Sequence, residues 1–185
     1  MVARRLAIAV FGGLLLLGPL SDAARACDED SEALFACETE RAGKHIFVCG
    51  YRNDTGQGWN GARYLFGKEG EPELTFPPQA EEAKKRLFFS HHWKGPEYRY
   101  SIRFVSGSYT YRLEGAQRIK DSVMNPDNVD VAGITVTDKA GKRVARIDCA
   151  ERPLAYTDDL RQALGCDTTT PLGAAACAEK APNAK

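Results

Sequence analysis

Histidines, clustered carboxylates and cysteines are the side chains of this 185-residue chain whose spacing bears on chemistry. The histidines are His45, His91 and His92. His91-His92 precedes Trp93 and the breaker Gly95-Pro96. In a strand the two imidazoles point to opposite faces, so without a bulge they do not share a metal. Either one is chemically suited to act as a general base, yet no G-x-S-x-G elbow presents a nucleophile. Ser106-Gly107-Ser108 has the composition of a hairpin turn. The carboxylates gather at Asp28-Glu29-Asp30, at Glu69 to Glu73 and at Asp127 to Asp130. None follows the D-x-D-x-D-G spacing of a calcium loop, and all three read as solvated surface. The cysteines contain no C-x-x-C, which removes the usual zinc arrangement. Neither catalytic residues nor a metal or cofactor are expected.

What the cysteines do indicate is a compartment. Arg4 and Arg5, the apolar stretch Leu6 to Leu20 and the small-x-small triplet Ala24-Arg25-Ala26 make a secretory signal, residues 1–26. The apolar run is too short to span about 30 Å of hydrocarbon as a helix, so it reads as removed and no membrane insertion is expected. All six cysteines lie after the cleavage point, beginning with Cys27. An even count in an exported chain reads as a disulfide framework, and the destination as periplasmic or secreted. Removal of Arg4, Arg5, Arg25 and Asp22 from 25 basic and 25 acidic residues leaves 22 and 24. Near neutrality provides no footprint for nucleic acid.

The elements follow from alternation. From Leu34 to Cys149 the pattern has period two, which argues strand after strand. It is clearest on either side of Ser106-Gly107. With that dipeptide as a two-residue loop, Phe104 faces Tyr109, Ile102 faces Tyr111 and Tyr100 faces Leu113. The opposite side pairs Arg103 with Thr110, Ser101 with Arg112 and Arg99 with Glu114, the last as an ion pair. One side is apolar and aromatic, the other polar, as in an antiparallel sheet with one wet face. Thr39 to Lys44 and Thr137 to Lys142 share the pattern T-[DE]-[KR]-A-G-K, in which Gly takes the left-handed position that closes a turn. Further strands are expected at 63–66, 73–76, 86–91 and 129–136, a helical turn at 80–85 and a long loop at 117–128. The fold expected is all-β, an antiparallel β-barrel or β-sandwich of about eight strands over residues 27–150. Residues 151–185 read as a C-terminal extension, with a short helix around 158–164 ended by Gly165 and a loose tail from about Glu179.

Spacing alone does not choose among the cysteine pairings. Cys37 and Cys49 flank the first hairpin with the same parity. They face each other if the turn is centred on Gly43. They stand a diagonal step apart, too far for a relaxed bridge, if it is centred on Ala42. The expected set is Cys37–Cys49, Cys27–Cys149 and Cys166–Cys177, with other partners for the first two if the turn is the narrower one.

Leu34-Phe35-Ala36-Cys37, Gly43-Lys44-His45-Ile46-Phe47-Val48-Cys49, Tyr64-Leu65-Phe66-Gly67, Ala132-Gly133-Ile134-Thr135-Val136 and Val144-Ala145-Arg146-Ile147-Asp148-Cys149 together resemble an uncharacterised family of small secreted bacterial disulfide-containing β-proteins. The resemblance covers about residues 33–149 and implies disulfide and turn positions, not catalytic ones. In size and all-β character the chain is also similar to periplasmic lysozyme inhibitors, and Gly61-Ala62-Arg63-Tyr64 resembles one of their loops, though no inhibitory residue carries over. The expectation is an exported, non-enzymatic binding or inhibitor-like module that meets an envelope or extracellular protein. Its contact residues would come from Tyr98, Tyr100, Tyr109 and Tyr111 or, if those are core, from Arg99, Arg103 and Arg112, since Tyr and Arg are favoured contact residues. The alternatives are a structural envelope protein without a discrete ligand and a hydrolase built on His91 or His92.

Overall fold

Alternation becomes two stacked sheets. The computed structural model describes residues 27–41, 43–118, 129–169, 173, 174 and 177. The expected signal at 1–26, most of the loop expected at 117–128 and the tail from Glu179 lie outside them. Sheet one has the order β10-β1-β2-β3-β4 and sheet two the order β11-β5-β6-β7-β8-β9. The first is built from β1 (Ser31–Glu38), β2 (His45–Arg52), β3 (Trp59–Lys68) and β4 (Glu71–Phe76) as a meander. A 3-10 turn (Ala80–Glu82) and α1 (Ala83–Arg86) carry the chain across to sheet two. There β5 (Phe88–Lys94), β6 (Glu97–Ser106), β7 (Tyr109–Arg118), β8 (Val129–Thr137) and β9 (Arg143–Asp148) form a second antiparallel meander. The architecture is a β-sandwich and not a closed barrel.

The core fills the space between the sheets. Phe35, Ile46, Val48 and Tyr64 of sheet one meet Ile102, Phe104, Leu113 and Ile134 of sheet two, all buried. Ring contacts of 4.8 Å join Tyr64 and Phe76 to Phe104 across the gap. The segment after residue 150 is woven into this body. β10 (Leu154–Ala155) pairs with β1, and β11 (Gly165–Cys166) runs parallel to β5. Between them α2 (Thr157–Ala163) buries Leu160 and Ala163 in the main core.

Both predicted turns of the shared pattern form. Gly43 and Gly141 have φ of 69° and 77°, the left-handed region that glycine enters without steric cost. In the second, Asp138 Oδ1 accepts hydrogen bonds of 2.9 Å from the backbone of Ala140 and Lys142.

The cysteine pairing differs from expectation at two of three bridges. The bonds are Cys27–Cys49, Cys37–Cys149 and Cys166–Cys177, with Cα separations of 5.6, 5.7 and 5.8 Å. Cys37–Cys49 and Cys27–Cys149 do not form because the register puts Cys37 opposite Ile46 and Cys49 opposite Ala33. Directly opposed residues share a face, so equal parity here means opposite faces. Cys37 joins the inner core and reaches Cys149, while Cys49 lies in a small outer cluster with Cys27, Ala36 and Phe47. At the Cys37–Cys149 corner the two sheets touch, through the bridge Thr39↔Cys149 and a hydrogen bond from Ala150 N to Glu38 O.

Candidate functional site

The candidate site grows from the hairpin β6–β7. Its loop is Gly107-Ser108 rather than Ser106-Gly107, because Ser106 faces Tyr109. Gly107, with φ of 60°, takes the first loop position, where a tight hairpin turn needs glycine. The register therefore slips by two residues from expectation. A slip of two exchanges partners but keeps every side chain on its face. Tyr100 faces Gly115, Ile102 faces Leu113 and Phe104 faces Tyr111 on the inner side. Arg103 faces Arg112, Ser101 faces Glu114 and Arg99 faces Ala116 on the outer side. The expected Arg99–Glu114 pair is thus replaced by Arg99–Glu97 at 2.8 Å.

The tyrosines belong mainly to the core side. Tyr100 is 3% exposed and Tyr111 stacks on Phe104 at 4.7 Å. Tyr98 is half-buried between His91 and Trp93, and Tyr109 is exposed at the hairpin end. Burial pushes the Tyr100 hydroxyl far above its ordinary range, which keeps it neutral. Its ring lies over Gly115, where a Cβ would come within 2.1 Å of Tyr100 Cζ. His91 and His92 point to opposite faces as expected: His91 packs between Phe89 and Tyr98, and His92 is on the outer side. No cluster of metal-ligating side chains occurs among the described residues.

The outer face of sheet two is polar and concave. A cavity of about 620 Å³ lies on it, within the size range of ligand sites. Ser90, His92, Glu97 and Arg99 line one flank, Glu114, Arg146 and Asp148 the other. The flanks are ordered by their own bonds. Ser90 Oγ and Ser101 Oγ are 3.0 Å apart. Arg99 donates from Nε and Nη2 to Glu97 Oε2, and this pair holds the Glu97 carboxyl below its usual range. Arg146 donates to Asp148 Oδ1 at 2.6 Å and to Thr135 Oγ1 at 3.0 Å. Gly133 makes that arrangement possible: a Cβ there would stand 2.4 Å from Asp148 Oδ1.

One wall comes from the C-terminal segment. Arg103 and Arg112 converge on Asp167, which is 0% exposed. Arg103 Nε and Nη2 donate to Asp167 Oδ2 and Oδ1 at 2.9 and 3.1 Å, while Arg112 Nη1 is 3.9 Å away. Thr169 donates to Oδ1 from its backbone N and its hydroxyl, and Asp167 N donates to Phe89 O. Burial works to raise the Asp167 carboxyl, but the hydrogen bonds from Arg103 and Thr169 outweigh it and hold the group below the ordinary carboxylate range. Gly173, in the same disulfide-closed loop, is buried and lines the cavity.

Of the arginines expected to make contacts, Arg99 and Arg112 reach the cavity, and Arg103 is a brace for Asp167. Sequence reasoning missed Glu114, Arg146, Asp148 and Asp167. Arg146 and Asp148 alternate outward on β9 beside a glycine in the middle of β8, a signal readable in retrospect. Asp167 carries no such signal. Fold and site define a disulfide-stapled β-sandwich with a charged cavity on its larger sheet. No protein-family model, curated protein or solved structure matches the chain.

Proposed function

We propose that the chain is an exported, non-enzymatic binding or inhibitor-like module, and that its ligand site is the cavity on the outer face of sheet two. The observation that carries this reading is the prearranged charge of that cavity. Arg99 is held by Glu97 on the inner strand β6 and Arg146 by Asp148 on the edge strand β9, so a partner meets positioned groups of both signs with little ordering cost. Three disulfides fit an oxidising compartment, and with the signal at 1–26 they support a periplasmic or extracellular protein. Among the described residues no helix is long and apolar enough to cross a membrane. Binding is preferred to hydrolysis because the Ser90 hydroxyl is engaged by Ser101, and no hydrogen bond among the described residues links it to His92.

The partner is an envelope or extracellular protein. The test immobilises residues 27–185 and captures partners from envelope extract, alongside an Arg99→Glu, Arg146→Glu variant. Retained melting temperature with lost capture is the expected result. Undiminished capture by the variant overturns the site. Ester or peptide hydrolysis that disappears in His92→Ala overturns the non-enzymatic reading.

A further inference from the structure

Three strands of sheet two carry opposite charges two residues apart, all lining the cavity: Glu97 and Arg99 on β6, Arg112 and Glu114 on β7, Arg146 and Asp148 on β9. Such positions share a face and stand about 6.5–7 Å apart along the strand. The pairs on β6 and β9 are closed on themselves, at 2.8 Å and 2.6 Å. The pair on β7, which lies between those strands, is open. Among the described residues, the nearest anion to Arg112 is Asp167, at 3.9 Å from Nη1. The nearest cation to Glu114 is Arg146, also at 3.9 Å. Both of those partners are already engaged more closely. Asp167 takes two hydrogen bonds from Arg103, and Arg146 donates to Asp148. Arg103, Arg112 and Asp167 together therefore leave a positive charge at Arg112, and Glu114, Arg146 and Asp148 leave a negative charge at Glu114. Gly133 helps to keep them apart. It stands opposite both Glu114 and Asp148, and a Cβ there would be 2.8 Å from Arg146 Nη2, so its missing side chain lets Arg146 reach over β8 toward Glu114.

We infer that the open pair Arg112 and Glu114 is the recognition point of the cavity, and that it takes an extended peptide segment with an acidic and a basic side chain two residues apart. The inference rests on the cavity being the ligand site, as proposed above, and names what enters it. The ligand carboxylate meets Arg112 and the ligand ammonium meets Glu114. In an extended segment such side chains have the same spacing as the pair on β7 and point the same way. The closed pairs on β6 and β9 form a neutral rim, which leaves the discrimination to the centre. Specificity comes from repulsion as well as attraction. A segment with two carboxylates sets one against Glu114, and a segment with two ammonium groups sets one against Arg112.

The test titrates the oxidised, isotope-labelled mature chain with capped peptides and follows its backbone amide shifts by NMR. The parent peptide is acetyl-Thr-Glu-Thr-Lys-Thr-amide. Two relatives carry Gln in place of Glu or of Lys, and a third has Glu and Lys adjacent, which puts the charges on opposite sides of an extended chain. The parent is expected to give saturable shifts on β7 at concentrations up to about 10 mM, and each relative to bind about fivefold more weakly. Arg112→Gln should bind the parent no better than the peptide lacking Glu, while Glu114→Gln should cease to distinguish the parent from the peptide lacking Lys. Glu114→Gln touches nothing that holds Asp167, so it remains informative if Arg112→Gln lowers the melting temperature. Absence of saturable shifts with the parent overturns the inference. So does equal affinity for all four peptides, or a Glu114→Gln protein that still prefers the lysine. The cavity itself is judged separately, by partner capture with the Arg99→Glu, Arg146→Glu variant. If that variant loses capture while the peptides fail to bind, the cavity stands and the assignment of its ligand falls.

Discussion

Cys37→Ala, Cys149→Ala is the substitution pair with the largest predicted effect. This disulfide spans 112 residues and ties β1 of one sheet to the end of β9 on the other. In the chain-entropy account, opening a loop of that size removes about 4.8 kcal/mol of stability near room temperature. Cys27–Cys49, which spans 22 residues within sheet one, gives about 3.4 kcal/mol by the same relation. The difference is about tenfold in the folding equilibrium. Neither bridge carries an unusual enthalpic load in this argument, so the order rests on loop length. Urea unfolding of the oxidised proteins reads both quantities. The Cys37/Cys149 variant should show the lower midpoint and also the steeper denaturant dependence, because its unfolded chain is less compact and exposes more surface. If the Cys27/Cys49 variant is equally or more destabilised, the bridges do not act by restraining the unfolded chain, and the calculation fails.

Three further outcomes are expected. Gly115→Ala should cost about 1–3 kcal/mol or more, since its Cβ would lie within 2.1 Å of the buried Tyr100 ring, and thermal melts of Gly115→Ala with and without Tyr100→Leu should show partial rescue. Tyr100→Phe should stabilise by about 1 kcal/mol, because the hydroxyl it removes is buried without a hydrogen-bond partner among the described residues; a lower urea midpoint would contradict this. The Asp167 carboxyl is held below its ordinary range, so its contribution is complete above the unfolded value near pH 4 and is lost as pH falls through the folded one. Acid should therefore loosen the Cys166–Cys177 loop in limited proteolysis, and Asp167→Asn should remove that pH dependence.

The faces of the strands were legible in the sequence; their partners were less so. A period of two decides which side of β6 and β7 is wet, and a two-residue slip in register leaves that decision intact, so Arg99, Arg103 and Arg112 emerge together as expected. The cysteines depend on the register itself. One residue of turn width decides whether Cys37 and Cys49 share a face, and local turn chemistry permits either width. The cavity depends on pairs far apart in the chain. Arg103 and Asp167 are separated by 64 positions, and nothing local in Gly-Cys-Asp-Thr marks its aspartate for burial. The helix after residue 157 was legible from its acidic start, whereas its role in the core required the crossing of the chain between sheets.

The two shortest strands have a consequence for solubility. β10 lies along the outer edge of β1, and β11 along that of β5. Each adds only two residues, yet each occupies backbone donors and acceptors on a long strand that would otherwise be open to another chain. Both come from one stretch of 13 residues, between Leu154 and Cys166. A protease that removes that stretch therefore uncovers one edge on each sheet at once. The damaged molecule would be a two-sided template for strand pairing, so the expected result of the nick is fibrous or amorphous aggregation rather than a smaller soluble sandwich.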